Sequence, residues 1–191
     1  MVPAMVGRIS FTGDLGYEIW VSPDYLAALY DLLTLAGEDL GLRPFGGRAL
    51  NSLRLEKNWG IWAREYRPIY TPWEAGLDRF VSLQKPDFIG REAAVRARDE
   101  GPRYHLATLV VDATDADVIG DDPIFRDGTV VGWATSGGYA HASEKSVALG
   151  YIKAEHFDVQ ADYAIEIIGD ARPARVQPEP LFDSQAERMR G

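Results

Sequence analysis

Residues 124–131 (IFRDGTVV) decide the fold class of the C-terminal half of the chain. Two short runs rich in apolar and β-branched residues flank Asp127 and Gly128, and an Asp-Gly pair in that setting is the strongest short-range signal for a β-hairpin. Similar β-rich runs cover residues 104–112, 146–152 and 163–168, so about six strands and no helix are predicted between residues 103 and 182. We therefore predict a small all-β barrel or sandwich over residues 103–191.

The residues before this barrel mix strand and helix patterns, and residues 100–103 (EGPR) mark the boundary. Residues 8–12 and 17–21 alternate like two strands of a hairpin, with Glu18 and Trp20 on one face of the second strand. Helices are predicted to begin near Ser22, Gly46, Thr71 and Ile89. We therefore predict an α+β domain over residues 1–102 that contains a partial antiparallel sheet.

Two of these helix starts carry specific signals. Ser22 is a good N-cap, and Leu26, Leu29, Tyr30 and Leu33 follow it as an apolar stripe at helical spacing. Residues 71–74 (TPWE) form a capping-box pattern, in which the Thr and Glu side chains each accept a backbone N–H of the other residue. Both patterns predict a helix that begins at the quoted residues.

Composition excludes several functional classes. The 191 residues include 20 Lys and Arg against 29 Asp and Glu, a net charge of −9, and no cysteine. Nucleic-acid binding, disulfide scaffolds and cysteine nucleophiles are therefore not expected, and no apolar run reaches the length of about 18 residues that a membrane span needs. The three histidines lie too far apart in the sequence to form a metal-ligand pair on one helix. We expect a cytoplasmic protein without a metal site.

Glu18 and Arg48 are the candidate binding residues that the pattern itself suggests. An acid in the middle of a strand is disfavoured, and a carboxylate there can accept two parallel N–H donors, such as those on the edge of a pterin or guanine ring. Arg48, in the first turn of a predicted helix, offers a complementary fork for a carboxylate or carbonyl. An acid on the solvated side of a sheet and a surface helical arginine are the alternative interpretations, and the pattern alone leaves them open.

Six segments in the same order resemble the aminomethyltransferase family, which includes the glycine cleavage T-protein. They are residues 10–19 (SFTGDLGYEI), 47–57 (GRALNSLRLEK), 71–77 (TPWEAGL), 87–92 (DFIGRE), 135–139 (TSGGY) and 146–151 (SVALGY). Residues 64–68 (REYRP), 138–141 (GYAH) and 179–183 (EPLFD) look most like the folate-binding part of dimethylglycine and sarcosine dehydrogenases. The resemblance covers nearly the whole chain and matches the C-terminal half of the family unit.

This resemblance implies a cofactor and site residues. The fold of residues 1–102 would be an incomplete ferredoxin-like layer, and residues 103–191 would form a Greek-key or jelly-roll-like barrel. Tetrahydrofolate would be the cofactor. Glu18 matches the family glutamate that holds the pterin ring, Arg48 matches an arginine that contacts folate, and Trp20 shares the strand face of Glu18. Arg54 and Glu56, in the same motif as Arg48, are interpreted as structural ion-pairing residues. No residue of this chain is predicted to be catalytic, because the family aspartate that orders the amine and folate lies in the N-terminal half of the unit.

The resemblance also leaves competing functions open. The first is part of an enzyme that moves a one-carbon unit from an amine such as glycine, dimethylglycine or sarcosine to tetrahydrofolate. The second is a non-catalytic folate-binding or docking module that partners a flavoprotein dehydrogenase, with FAD only in the partner or in an N-terminal domain. A folded remnant without activity is a third. Because half of the family pocket has no counterpart here, exposed apolar surface and a covering partner, either an N-terminal half or a flavoprotein subunit, are expected.

Overall fold

The computed structural model describes residues 2–190, which form a helix-containing N-terminal part followed by a closed barrel. The N-terminal part contains strands β1 (Met5–Gly7) and β2 (Glu18–Trp20) and helices α1 (Leu26–Gly37), α2 (Gly47–Leu55) and α3 (Arg91–Glu100). The barrel contains β3 (Tyr104–Val111), β4 (Pro123–Arg126), β5 (Thr129–Ala140), β6 (Lys145–Lys153), β7 (Asp162–Ile167) and β8 (Asp170–Val176). A short helix, α4 (Glu187–Arg190), follows. The predicted α+β class and the C-terminal barrel are confirmed.

The barrel closes in the order β3-β6-β5-β4-β7-β8, and all its neighbouring strands are antiparallel. The predicted hairpin joins β4 to β5, and Asp127 and Gly128 take φ values of 50° and 74°. These left-handed values fit the right-handed twist of the flanking strands, which explains the Asp-Gly preference at this turn. Fully buried apolar side chains such as Leu109, Ile124 and Ile165 fill the interior.

The N-terminal hairpin forms, but one of its strands lies elsewhere than predicted. β1 covers Met5–Gly7 and pairs with β2, whereas the predicted strand at residues 8–12 is irregular. The connection is therefore longer than the predicted residues 13–16. Within it, the Ser10 and Thr12 side chains accept the N–H groups of Gly13 and Asp14 at 2.9 and 3.3 Å. These side-chain bonds compete with strand pairing, which explains the difference.

The capping box at Thr71 forms, but no helix follows it in the sequence. The Thr71 N–H donates to Glu74 Oε2 at 2.7 Å, and the Glu74 N–H donates to Thr71 Oγ1 at 3.3 Å. The chain then turns at Gly76, which has a φ of 66°, so the predicted helix stops after its first turn. The Glu74 carboxylate also accepts bonds from the Arg103 guanidinium, the closest at 2.7 Å. This contact ties the turn to the first residues of the barrel.

α2 joins the N-terminal part to the barrel. Asn51 donates to the Gly137 carbonyl at 3.1 Å, and Ser52 donates to the Tyr139 carbonyl at 2.7 Å. Arg54 forms the predicted structural ion pair, 3.6 Å from Glu65. Glu56 does not form the predicted ion pair. Its carboxylate instead accepts hydrogen bonds from the backbone N–H groups of residues 142 and 143 and from the Ser143 hydroxyl. Glu56 therefore joins α2 to the barrel directly, whereas Arg54 does so through Glu65, which accepts a hydrogen bond from Ser136 of β5.

α1 forms as predicted, preceded by a 3-10 turn at Pro23–Tyr25, but its apolar stripe is not covered. Leu26, Tyr30 and Leu33 are exposed, and Leu29 is half-buried. The Ser22 side chain makes no cap bond; its carbonyl instead accepts the Tyr25 N–H at 2.9 Å.

Over residues 2–190, no helix has the length and apolar character to cross a membrane.

Candidate functional site

The hairpin of β1 and β2 places Glu18 and Trp20 on one face. Glu18 pairs with Gly7 and Trp20 with Met5 in the antiparallel register. A Cβ added at Gly7 would lie 2.8 Å from two carbons of the Trp20 six-membered ring, so the indole lies across the backbone opposite Glu18. Gly7 thus leaves the space that the ring occupies. Trp20 remains 40% exposed, which gives this face a flat aromatic surface beside a carboxylate.

The Glu18 carboxylate is exposed, and within residues 2–190 its side chain has no hydrogen-bond or ion-pair partner. The two lone-pair-bearing oxygens are therefore free to accept donors from outside the chain. A pair of adjacent N–H groups is the complementary ligand chemistry, because a carboxylate accepts two parallel N–H bonds. The geometry makes Glu18 and Trp20 one unit that can bind a flat ring with such an edge.

Arg48 lies apart from that unit. It is the second residue of α2, its side chain is exposed, and no carboxylate in the described part of the chain pairs with it. Its guanidinium can therefore bind an external carboxylate or carbonyl. The structure shows no contact between Arg48 and Glu18 or Trp20, so it brings together two of the three predicted residues and leaves the third on a separate helix.

The loop that leads into Glu18 is held by a residue that the sequence reasoning missed. Lys57 is the second residue after α2, and its ammonium group contacts the Gly13 carbonyl at 3.0 Å and the Asp14 carboxylate. It also contacts Asp183 Oδ2 at 3.1 Å. A lysine just after a helix is normally expected to have a solvent-exposed side chain. The carboxylates that Lys57 contacts lie 43 and 126 positions away along the chain. No local pattern could therefore identify it.

A cleft of about 670 Å³ lies between the barrel and the segments that precede and follow it. Its volume is in the range of small-molecule sites. The lining includes Trp59, Tyr66, Phe80, Leu106, Phe157 and Gln177, but not Glu18, Trp20 or Arg48. The predicted binding residues therefore lie outside this cleft, on the surface of the N-terminal part.

The N-terminal part exposes many large apolar side chains. Within residues 5–45 they include Met5, Val6, Tyr30, Leu35, Leu40 and Phe45, with Leu40 at 85%. α1 packs mainly against the short turns at its two ends, Pro23–Tyr25 and Glu38–Leu40. We call these six exposed side chains the apolar face. It has the character of a surface that another polypeptide covers.

Two family models match the chain. Residues 1–85 match the GCVT N-terminal domain, and residues 105–183 match the glycine cleavage T-protein C-terminal barrel domain. The mitochondrial dimethylglycine dehydrogenase of Mus musculus is 38% identical over 190 residues, which are 99% of this chain and 22% of that protein. The aminomethyltransferase of Symbiobacterium thermophilum is 36% identical over 190 residues, which are 98% of this chain and 50% of that protein.

A solved structure shares the architecture. The glycine cleavage system aminomethyltransferase T from Bartonella henselae matches with a TM-score of 0.82 and 25% identity, over 94% of this chain and 50% of that one. The chain therefore spans about half the length of the aminomethyltransferases it matches, and about a fifth of the dimethylglycine dehydrogenases.

Proposed function

Because this chain belongs to the aminomethyltransferase (glycine cleavage T-protein) family, we propose that it binds tetrahydrofolate and takes part in one-carbon transfer to it. The donor would be a methylamine or aminomethyl compound such as glycine, dimethylglycine or sarcosine. Family membership supports folate-linked one-carbon chemistry, and similarity to both aminomethyltransferases and dimethylglycine dehydrogenases supports an amine donor. The finer assignment rests on the residues of the site.

The single observation that carries the proposal is the pairing of Glu18 and Trp20 on one exposed strand face. A reduced pterin offers adjacent N–H donors on one edge and a flat ring, and these two side chains offer a carboxylate and an aromatic surface. The p-aminobenzoyl-glutamate part offers carboxylates, for which the Arg48 guanidinium is a suitable partner. The donor and acceptor chemistry of the three residues therefore fits tetrahydrofolate.

In this proposal the residues of the chain bind and orient; they do not break bonds. Tetrahydrofolate supplies the nitrogen that accepts the one-carbon unit. Glu18 fixes the pterin edge through charge-assisted hydrogen bonds, and Trp20 limits tilting of the ring. We assign the acid that orders the donor amine to the N-terminal half of the family unit, and FAD, where the donor must first be oxidised, to a flavoprotein partner.

Isothermal titration calorimetry of the chain with 5-formyl-tetrahydrofolate tests the proposal. A hydrogen bond to a charged group contributes about 1.5–3 kcal/mol, so Glu18→Gln should weaken binding by about ten- to a hundredfold. Arg48→Gln should weaken it as well. Glu92→Gln and Arg96→Gln, exposed substitutions of the same type on α3, are matched controls and should leave the affinity unchanged. An unchanged Kd for Glu18→Gln would show that the site assignment is wrong.

The apolar face favours a second candidate function, a docking module that partners a flavoprotein dehydrogenase. Side chains such as Leu35 and Leu40 would then pack against the partner. Sedimentation velocity over a range of concentrations tests this directly. Docking predicts that Leu35→Glu with Leu40→Glu abolishes complex formation with a purified flavoprotein dehydrogenase while leaving folate affinity intact. A wild-type chain that stays monomeric when mixed with that flavoprotein would argue against docking.

A further inference from the structure

Lys57 lies at the junction of three segments that are distant in the sequence. Its side chain is 5% exposed, and its ammonium group bonds to the Gly13 carbonyl, the Asp14 carboxylate and Asp183 Oδ2. A buried ammonium is costly unless it is paired and hydrogen-bonded. Here one cation faces two carboxylates, so removal of the cation would leave two like charges facing each other.

One of those carboxylates belongs to residues 178–190, which we call the C-terminal strap. The Phe182 N–H donates to the Glu56 carbonyl at 3.2 Å, which fixes the strap to the end of α2. Asp183 then accepts the N–H groups of Glu187 and Arg188 at 2.8 and 3.1 Å. Although desolvation raises the pKa of Asp183, the bonds from Lys57 and these two N–H groups lower it below its usual value. The strap therefore presents an ionised carboxylate to Lys57.

The strap also contacts the connection between β1 and β2. The Leu15 N–H donates to the Arg188 carbonyl at 2.9 Å. The Arg8 guanidinium donates to the Met189 carbonyl at 3.0 Å. Residues 8–16 are thus held both by the strap and by Lys57, and β2 begins two residues later, at Glu18.

The loop backbone is fitted to the lysine stem. Gly13 has a φ of 79°, in the left-handed region that favours glycine. A Cβ added there would lie 2.6 Å from Lys57 Cδ. The loop thus adopts a conformation that only glycine accommodates easily, and the aliphatic part of Lys57 fills the space beside it.

We infer that Lys57 is a positioning residue for the folate site, one that clamps residues 10–16 between α2 and the C-terminal strap and so sets where β2 presents Glu18. This inference rests on the proposed function. Lys57 does not touch the ligand in this account; it acts through Gly13, Asp14 and Asp183. Each end of the described chain contributes one carboxylate, so the clamp also makes the site depend on the strap.

Substitution of Lys57 tests the clamp with two readouts. Lys57→Met keeps the apolar stem and removes the charge, and it should weaken 5-formyl-tetrahydrofolate binding by about tenfold or more. Hydrogen–deuterium exchange should rise in residues 10–20 and in the strap while the barrel strands β3 and β6 keep their protection. Lys57→Arg should restore part of the affinity, because it keeps the charge. Lys145→Met removes an exposed lysine from β6 and is the matched control.

The triple variant Lys57→Met, Asp14→Asn, Asp183→Asn removes the two facing charges together with the cation. It should regain thermal stability relative to Lys57→Met but not the folate affinity, which separates positioning from a merely structural role. A wild-type chain that binds folate and a Lys57→Met chain that binds it equally well would overturn the inference. A wild-type chain that fails to bind folate would overturn the proposed function, and with it the positioning role.

Discussion

Glu65 provides a quantitative test of how the N-terminal part is fixed to the barrel. Its side chain is 0% exposed. One carboxylate oxygen accepts the Ser136 hydroxyl at 2.6 Å, and the other accepts the Ile61 N–H at 2.8 Å and lies 3.6 Å from the Arg54 guanidinium. Burial lowers the pKa of Arg54, and the Glu65 carboxylate opposes that shift. Glu65 is therefore the counter-ion of Arg54, whose guanidinium also donates to Asn51 Oδ1 at 2.8 Å and to the Trp59 carbonyl at 3.0 Å.

Glu65→Ala leaves three groups without the carboxylate that they contact. The buried Arg54 loses its counter-ion, and the Ser136 hydroxyl and the Ile61 N–H lose their acceptor. Breaking a buried pair by removing one partner costs about 3–5 kcal/mol of unfolding free energy. With a urea dependence of about 2 kcal/mol per molar, the denaturation midpoint should fall by about 2 M.

Urea denaturation followed by far-UV circular dichroism measures this loss. Glu65→Gln retains an acceptor for Ile61 or Ser136 and should lose less stability than Glu65→Ala. Glu155→Ala, which removes an acid that is 74% exposed, should change the unfolding free energy by less than about 1 kcal/mol. If Glu65→Ala lost no more than Glu155→Ala, the buried cluster would not be what joins the two parts.

Two further predictions concern the barrel and its junction. Although burial raises the pKa of Glu74, its bonds with Arg103 and with the backbone lower it below its usual value. The ionised Glu74 carboxylate therefore stabilises the fold at pH values above the pKa that this carboxyl has in the unfolded chain. That stabilisation is lost as pH falls through its lower pKa in the folded chain. Urea melts from pH 6 to pH 3 should show a steeper loss for the wild type than for Glu74→Gln, and equal slopes would refute this. Gly132→Ala should prevent barrel closure, because the new Cβ would lie 2.1 Å from the Tyr151 carbonyl oxygen; a wild-type thermal midpoint would contradict this.

The sequence predicts the barrel well because its signals are local. Asp127 and Gly128 specify a hairpin turn, and the flanking residues specify strands, so the turn and the strands agree. The capping box at Thr71 shows the limit of the same reasoning. Its hydrogen bonds form as predicted, but the helix does not, because Gly76 turns the chain and Glu74 bonds to Arg103 from beyond the domain boundary.

The buried charges could not be predicted in this way. Lys57 and Glu65 look like ordinary surface residues in the sequence, and only contacts with residues such as Asp183 and Ser136 remove them from solvent. Glu18 is different, because the alternating pattern of its strand places it on a face with Trp20, and the structure has the same arrangement. The shared face of two residues on one strand can be predicted from sequence, whereas contacts between residues distant in the chain cannot.

A tryptophan-fluorescence titration with 5-formyl-tetrahydrofolate shows whether the strand face of Glu18 and Trp20 binds folate, since Trp20 lies beside Glu18 and is accessible to a ligand. We expect saturable quenching in the wild-type chain, loss of most of that quenching in Trp20→Phe, and saturation at about tenfold or higher ligand concentration in Glu18→Gln. If a chain shown by its far-UV spectrum to be folded gave no saturable quenching, this face would not be a folate-binding site. Quenching that is the same in all three proteins would lead to the same conclusion.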